Sequence, residues 1–338
     1  MTLHRPLCDL LGCDVPVLLA GMGGVSRWEL AAAVANAGGY AILGMVREDP
    51  DLIEREVLAL QAATKRRFAV NLIPAATEPG LLDRQIGRCL DLGVTDFSFF
   101  WDVMPKVVAR IKAAGGTVLH QVGSLRAASD AELAGVDVLI TQGIEAGGHV
   151  HGRQGCFALL EEVLPRTALP VVATGGFSGG AGLAAALTMG AQGAQFGTAF
   201  LATKESFAHE YHKQRIVEAG GDATVLTDIF VLNWPAQAAV RVIGNSVTSA
   251  LGFALLGHDP DALPREVIAH EDGAPRLRFS TDSPLRTTTG DLEAMALYAG
   301  QGLGSINTIP TAAARLHQIT TEAETCLARL CNPMETRI

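Results

Sequence analysis

Ten residues from Gly143 to Gly152, GIEAGGHVHG, put one acid, two adjacent glycines and two histidines in a single short stretch. Adjacent glycines let a backbone approach a ligand closely. A histidine beside them can take or give a proton near neutral pH. His149 is therefore a candidate general base. The same letters also fit a plain turn carrying surface histidines. Two histidines two apart in a loop lack a third ligand, so HVHG does not make a metal site. No G-x-S-x-G elbow supports a Ser–His–Asp arrangement, and no P-loop, GxGxxG fingerprint or HExxH is present.

The elements that must carry this loop repeat one unit. Short β-like runs occur at PVLLA (from Pro16), YAILG (Tyr40), FAVNLI (Phe68), DFSFF (Asp96), TVLHQV (Thr117), DVLIT (Asp137), LPVVAT (Leu169) and GAQFG (Gly193). Amphipathic stretches such as RWELAAAVANAGG and DLIEREVLALQAAT lie between them and read as helices. Such alternation implies βαβ units and a parallel sheet. Eight units predict a closed (β/α)8 TIM barrel. The rival, an open doubly wound sheet, would show one dominant Gly-rich loop after its first strand. Here unusual residues follow nearly every strand: Gly21–Gly24, Asn71, Trp101 in FWD, Gln121, Gln142 with the His149 loop, Thr174–Gly176, and Gln195–Thr198. In a barrel all of these face one mouth. Gly175, Gly176, Gly197 and Thr198 suit a phosphate, and the amides of Asn71, Gln121 and Gln142 suit the edge of a heterocycle.

Composition narrows the class. The chain has 338 residues, 49% hydrophobic and only 18% charged, which describes a well-buried globule and not a disordered chain. A formal net charge of -9 without a basic run argues against nucleic acid. No apolar run spans a membrane, the N-terminus lacks a signal-peptide cleavage site, and six cysteines without CxxC fit reduced thiols, so a cytoplasmic location is expected. The apolar content suits a homodimer. After Thr198 the rhythm fails, and residues 211–305 read as an inserted, mostly helical lid. Residues 1–210 and 306–338 then form the barrel, with TAAARLHQITTEAETCLARL as a final helix returning to its wall.

In order along the chain, AGMGGVS, VNLI, QGIEAGGH, PVVATGGF and GAQGAQFGTAFLATKES resemble the nitronate monooxygenase family, formerly 2-nitropropane dioxygenases. A weaker likeness, YAGQGLGSINTIPTAAARL, follows near the C-terminus. The same motifs resemble the flavin-type enoyl-acyl-carrier-protein reductases, which share the fold. The resemblance implies an FMN-binding TIM barrel with a lid. It implies FMN contacts from Gly21, Met22, Gly23, Asn71, Gln142, Gly147, Gly148, Gly175 and Gly176, a ring contact from Gln121, and a phosphate segment at Gln195, Phe196, Gly197 and Thr198. His149 matches the base that removes a proton from a neutral nitroalkane before electrons pass through FMN to dioxygen; a preformed nitronate needs this base less. Nicotinamide use separates an enoyl-thioester reductase from a monooxygenase, and a specialised biosynthetic oxidoreductase is a variant of the latter.

Two departures bear on the substrate. HVHG delays the glycine that usually follows the base, leaving His151 as a rim residue or a second relay. Phe100, Trp101 and Asp102 stand where the family is usually small and Gly-containing, so Trp101 either lines the pocket or packs. Tyr298 and Gln301 in YAGQ are expected to close over the flavin, and Arg241 and Asn245 to line the entrance. Glu145 is read as orienting its loop. Lys204, His209 and His212 read as a solvated helix face.

Overall fold

The computed structural model describes residues 3–235 and 238–331. Its strands in chain order are β1 Val17–Leu19, β2 Ala41–Gly44, β3 Phe68–Leu72, β4 Asp96–Phe100, β5 Thr117–Val122, β6 Val138–Gln142, β7 Gly148–His149, β8 Val171–Thr174, β9 Gly193–Phe196, β10 Thr224–Thr227, β11 Val240–Ile243, β12 Val267–Glu271, β13 Ala274–Leu277 and β14 Thr289–Gly290. Eight of them, β1–β6 with β8 and β9, pair in parallel in the order β1-β9-β8-β6-β5-β4-β3-β2. A parallel bridge between Leu18 and Tyr40 joins β1 to β2 and closes the ring. Each strand coincides with one of the eight runs expected from sequence, and the (β/α)8 barrel stands.

Strand alternation divides the apolar residues between two cores. Leu18, Ile42, Ala69, Leu119, Ile140 and Val172 cluster inside the ring, where Leu7, Cys8 and Leu11 of the N-terminal helix Pro6–Leu11 join them. Their neighbours Val17, Leu19, Leu43, Val70, Leu139 and Ala173 pack outward with the helices. At the same end, buried Asp96 accepts from the Tyr40 hydroxyl (2.7 Å) and from Arg67 (2.6 Å).

Local chemistry sets the helix starts. Asp49 caps Pro50–Ala63 by accepting from the Asp51 amide, and Pro50 stands where its missing N–H costs nothing. Glu78 and Ser124 cap Pro79–Asp91 and Leu125–Leu133 in the same way. The last helix, Ala312–Cys331, does return to the wall. It lies so close to the helix Gly180–Met189 that a Cβ on Gly180 would come within 2.3 Å of the Ile319 carbonyl.

The insertion is not mostly helical. β10-β11-β7 and β13-β12-β14 form two antiparallel three-stranded sheets, with the helices Glu210–Glu218 and Ser246–Ala250 and short turns beside them. Its strands are short, and their apolar residues Val225, Val240, Val242 and Ile268 cover a small core with Ile229, Phe230 and Ala296. Runs that short carry little periodic signal.

Candidate active site

β7 belongs to the His149 loop, and it ties that loop to the insertion. Gly148 and His149 pair antiparallel with Arg241 and Val240 of β11. Arg241 is buried and donates from Nε and Nη2 to the Ile144 carbonyl (3.3 and 3.0 Å). Gln142 donates to the His149 carbonyl (2.9 Å) and accepts from the His151 amide (3.4 Å). Glu145 accepts from the Cys156 amide with both oxygens (3.1 and 3.0 Å), and its carbonyl accepts from the Gln301 amide (2.9 Å). Its expected role in orienting the loop therefore has a geometry.

The two glycines before His149 answer to different constraints. A Cβ on Gly147 would meet the Gly300 nitrogen at 2.5 Å and the Ala299 carbonyl carbon at 2.6 Å. Gly148 has open space around it but a φ of +74°, which L side chains rarely adopt. The close approach at Gly147 is thus to the chain's own backbone, a reason the sequence alone does not reveal.

The loops at the C-terminal strand ends surround a cavity of about 650 Å³. Its wall includes Gly21, Met22, Gly23, Asn71, Gln121, Gln142, Gly147, Gly148, His149, Gly175, Gly176, Gln195, Gly197, Thr198 and Tyr298. Phe196 is the exception among the expected cofactor contacts. Its ring is fully buried beside Phe177 and Phe200, because β9 alternates and turns this side chain outward from the ring. Asn71 Oδ1 and Gln195 Oε1 are buried on the cavity wall without a hydrogen-bond partner. Such atoms cost free energy unless a ligand or water completes them. Gly175 and Gly176 hold φ of +108° and +77°, and Gly302 packs so closely on Gly176 that a Cβ there would lie 2.2 Å from its carbonyl oxygen.

His149 stacks on Trp234, ring centroids 3.5 Å apart and planes 16° from parallel, with Tyr298 6.0 Å away. His149 Nε2 is buried and has no partner. Burial first, and then the positive Arg47, push its pKa down to about 3, so the imidazole is neutral. Arg47 lies over the other ring partner, 5.5 Å from the Trp234 centroid. Trp234 and Arg47 were not singled out by sequence. Trp234 sits in the insertion far from any motif, and Arg47 follows β2 in a run with no glycine to mark it.

Trp101, His151 and Gln301 do not line the cavity. Trp101 takes a φ of +82°, the left-handed region that a glycine would occupy without strain. It packs 4.5 Å from the His151 ring and 6.3 Å from the His149 ring. His151 and Gln301 are exposed at the rim. Arg241 and Asn245 are not at the entrance. Arg241 holds the Ile144 carbonyl, and Asn245 forms a capping box with Thr248 at the helix Ser246–Ala250. His212 is not solvated either: it is fully buried, its Nε2 3.0 Å from the Tyr298 carbonyl.

A family model described as nitronate monooxygenase matches residues 4–84 and 73–322. A nitronate monooxygenase from Paraburkholderia phytofirmans is 31% identical, the match covering 91% of this chain and 92% of that one. The chain belongs to the nitronate monooxygenase family. It is an enzyme of that kind, and its barrel mouth is where the family motifs gather. Another relative is (3aS,4S,5R,7aS)-5-hydroxy-7a-methyl-1-oxo-octahydro-1H-indene-4-carboxyl-CoA dehydrogenase from Mycobacterium tuberculosis. It is 38% identical over 67% of this chain and 64% of its own length. Among solved structures, FabK from Thermotoga maritima superposes with a TM-score of 0.83 at 28% identity, covering 98% of this chain and 100% of that one. Among the described residues, no helix is long and apolar enough to cross a membrane.

Proposed function

We propose that this nitronate monooxygenase family member oxidises a nitronate, or a similarly acidic carbon compound, with FMN as cofactor and dioxygen as electron acceptor. The observation that carries the reading is the placement of His149 at a glycine- and amide-walled cavity, on a loop stitched to the insertion by β11. The wall fits FMN: the unpartnered Asn71 Oδ1 and Gln195 Oε1 would complete their hydrogen bonds on a polar ring edge. The backbones of Gly175, Gly176 and Gly197, with the Thr198 hydroxyl, would hold a phosphate. FMN, when bound, supplies electron transfer from substrate to dioxygen. The chain's own residues bind and orient the substrate beside His149, exclude water with Trp234 and Tyr298, and keep the imidazole neutral. A neutral imidazole can accept a proton at Nε2. One with so low a pKa accepts it weakly, which favours substrates that arrive already deprotonated.

A second reading, reduction or dehydrogenation of an acyl thioester with a nicotinamide, is favoured by the 38% identity to a carboxyl-CoA dehydrogenase. Anaerobic mixing separates the two. The purified holoenzyme is mixed with a nitronate, or with NADH or NADPH, while the flavin absorbance is followed. Bleaching by the nitronate, reversed by oxygen, is the expected result. Bleaching by the nicotinamide alone would replace the first reading with the second. Protein purified without flavin, and unable to take up FMN, would overturn both.

A further inference from the structure

We propose that Arg47 binds the anionic group of the substrate, and that the enzyme selects planar anions through it; this rests on the reading of the cavity as a nitronate site. Arg47 stands just beyond β2, on the cavity wall, with a φ of +61°. Only two other non-glycine residues among those described share a positive φ, Trp101 and Asp272. A non-glycine residue held there costs on the order of 1 kcal/mol or more and persists where the surroundings or the function demand that side chain. A glycine in its place would be free of that strain.

The other charged groups on the wall have partners. Glu48 meets Arg27 at 3.2 Å, and Glu271 meets Arg276 at 3.0 Å. The Asp282 carboxylate takes the Asn233 amide at 3.2 Å. Arg47 has no carboxylate within ion-pair distance among the described residues. It donates to the Asn233 carbonyl and, at 3.4 Å, to the Thr281 hydroxyl. Two of its five N–H donors are thus used, and the rest of the planar fork can take an oxyanion. Trp234 packs against both groups, the Arg47 guanidinium 5.5 Å and the His149 ring 3.5 Å from its ring centroid. An anion seated on the guanidinium therefore lies beside a flat aromatic wall, in the cavity that His149 also lines. A nitronate, whose C, N and two oxygens are coplanar and share the negative charge, fits that arrangement in shape and sign. A neutral nitroalkane gains less from the cation.

The test uses the holoenzyme with nitrate, a planar oxyanion that needs no turnover, titrated against the flavin spectrum. Steady-state kinetics with propyl-1-nitronate and with neutral 1-nitropropane complete it. Arg47→Gly removes the guanidinium and suits the local φ. It is expected to leave the flavin content unchanged and the melting temperature equal or higher. Nitrate Kd and nitronate KM should both rise on the order of 10–100-fold, the range for losing a charged hydrogen bond. The KM for nitropropane should move less, and Arg47→Lys should recover part of the loss. Nitrate Kd and nitronate KM within twofold of wild type in Arg47→Gly would overturn the proposal. So would flavin loss in Arg47→Gly and Arg47→Lys alike, which would assign the residue to the cofactor. Failure of the wild type to oxidise nitronate would sink the nitronate reading, while the nitrate titration would still decide the role of Arg47.

Discussion

A Cβ placed on Gly147 runs into the backbone of Ala299 and Gly300, whereas one on Gly148 meets nothing but must accept φ +74°. The two neighbours therefore respond differently to alanine. Gly147→Ala forces two chain segments apart and is expected to cost about 1–3 kcal/mol, with the Glu145–Gln301 contact and flavin retention lost together. Gly148→Ala should cost about 1 kcal/mol, the strain of the backbone alone. Urea unfolding of both variants checks the order, and Gly148→Ala proving the more damaging would remove the steric account. His149→Ala tests the proposed base. Turnover of a neutral nitroalkane should fall on the order of a hundredfold or more, and that of a preformed nitronate far less. Equal losses on both substrates would take the base role away from His149.

At the scale of elements, the His149 loop is held by β11 of the insertion as well as by the barrel. Arg241 reaches out of β11 to the Ile144 carbonyl, while Val240 and Arg241 pair with His149 and Gly148. Arg241→Met should keep the side chain's apolar stem and lose both hydrogen bonds to the Ile144 carbonyl and the one to the Thr224 hydroxyl. The expected outcome is a drop of at least tenfold in kcat/KM with the far-ultraviolet circular dichroism of the barrel unchanged. An unaltered kcat/KM would show that pairing with β11 suffices. The opposite end of the barrel has its own polar tie. Asp96→Ala leaves the Tyr40 hydroxyl buried without its acceptor and Arg67 without its carboxylate. A loss of about 3 kcal/mol in denaturant unfolding is expected, with little change in KM, because this tie lies away from the mouth.

At the scale of the whole molecule, burial lowers the pKa of His120, His149 and His212 furthest among the described histidines, and that of His151 as well. His120 and His212 are pushed down to about 4, and His149 to about 3. In the unfolded chain each takes a proton near pH 6.5. The unfolded state therefore binds more protons below that value, and stability falls as the pH drops from about 6.5 toward 4, by up to roughly 1.4 kcal/mol per pH unit for each histidine. Melting temperatures between pH 7 and pH 4 should show this decline. His212→Gln, which can still donate to the Tyr298 carbonyl, should flatten it. An identical slope in that variant would exclude His212 as a contributor.

The eight barrel strands and the side of the barrel that carries the cavity were legible in the sequence, because buried parallel strands are short apolar runs and most of them end at or beside a distinctive glycine or amide. The motif glycines and amides came together as the topology requires, Phe196 excepted, since a motif match does not say which way a strand residue faces. Helix order and the returning C-terminal helix were legible for a similar local reason, their repeating apolar face. The sheets of the insertion were not, since their strands are short and their apolar face appears only when distant segments pair. Nor was the surround of His149. Trp234 meets Arg47 across nearly two hundred residues of chain, Trp101 packs on His151 instead of lining the cavity, and His212 is buried against the Tyr298 carbonyl. Such positions depend on which segments the closed barrel brings together. The barrel and the gathering of its loops follow from local patterns along the chain, whereas the side chains that surround His149 follow from contacts between residues far apart in it.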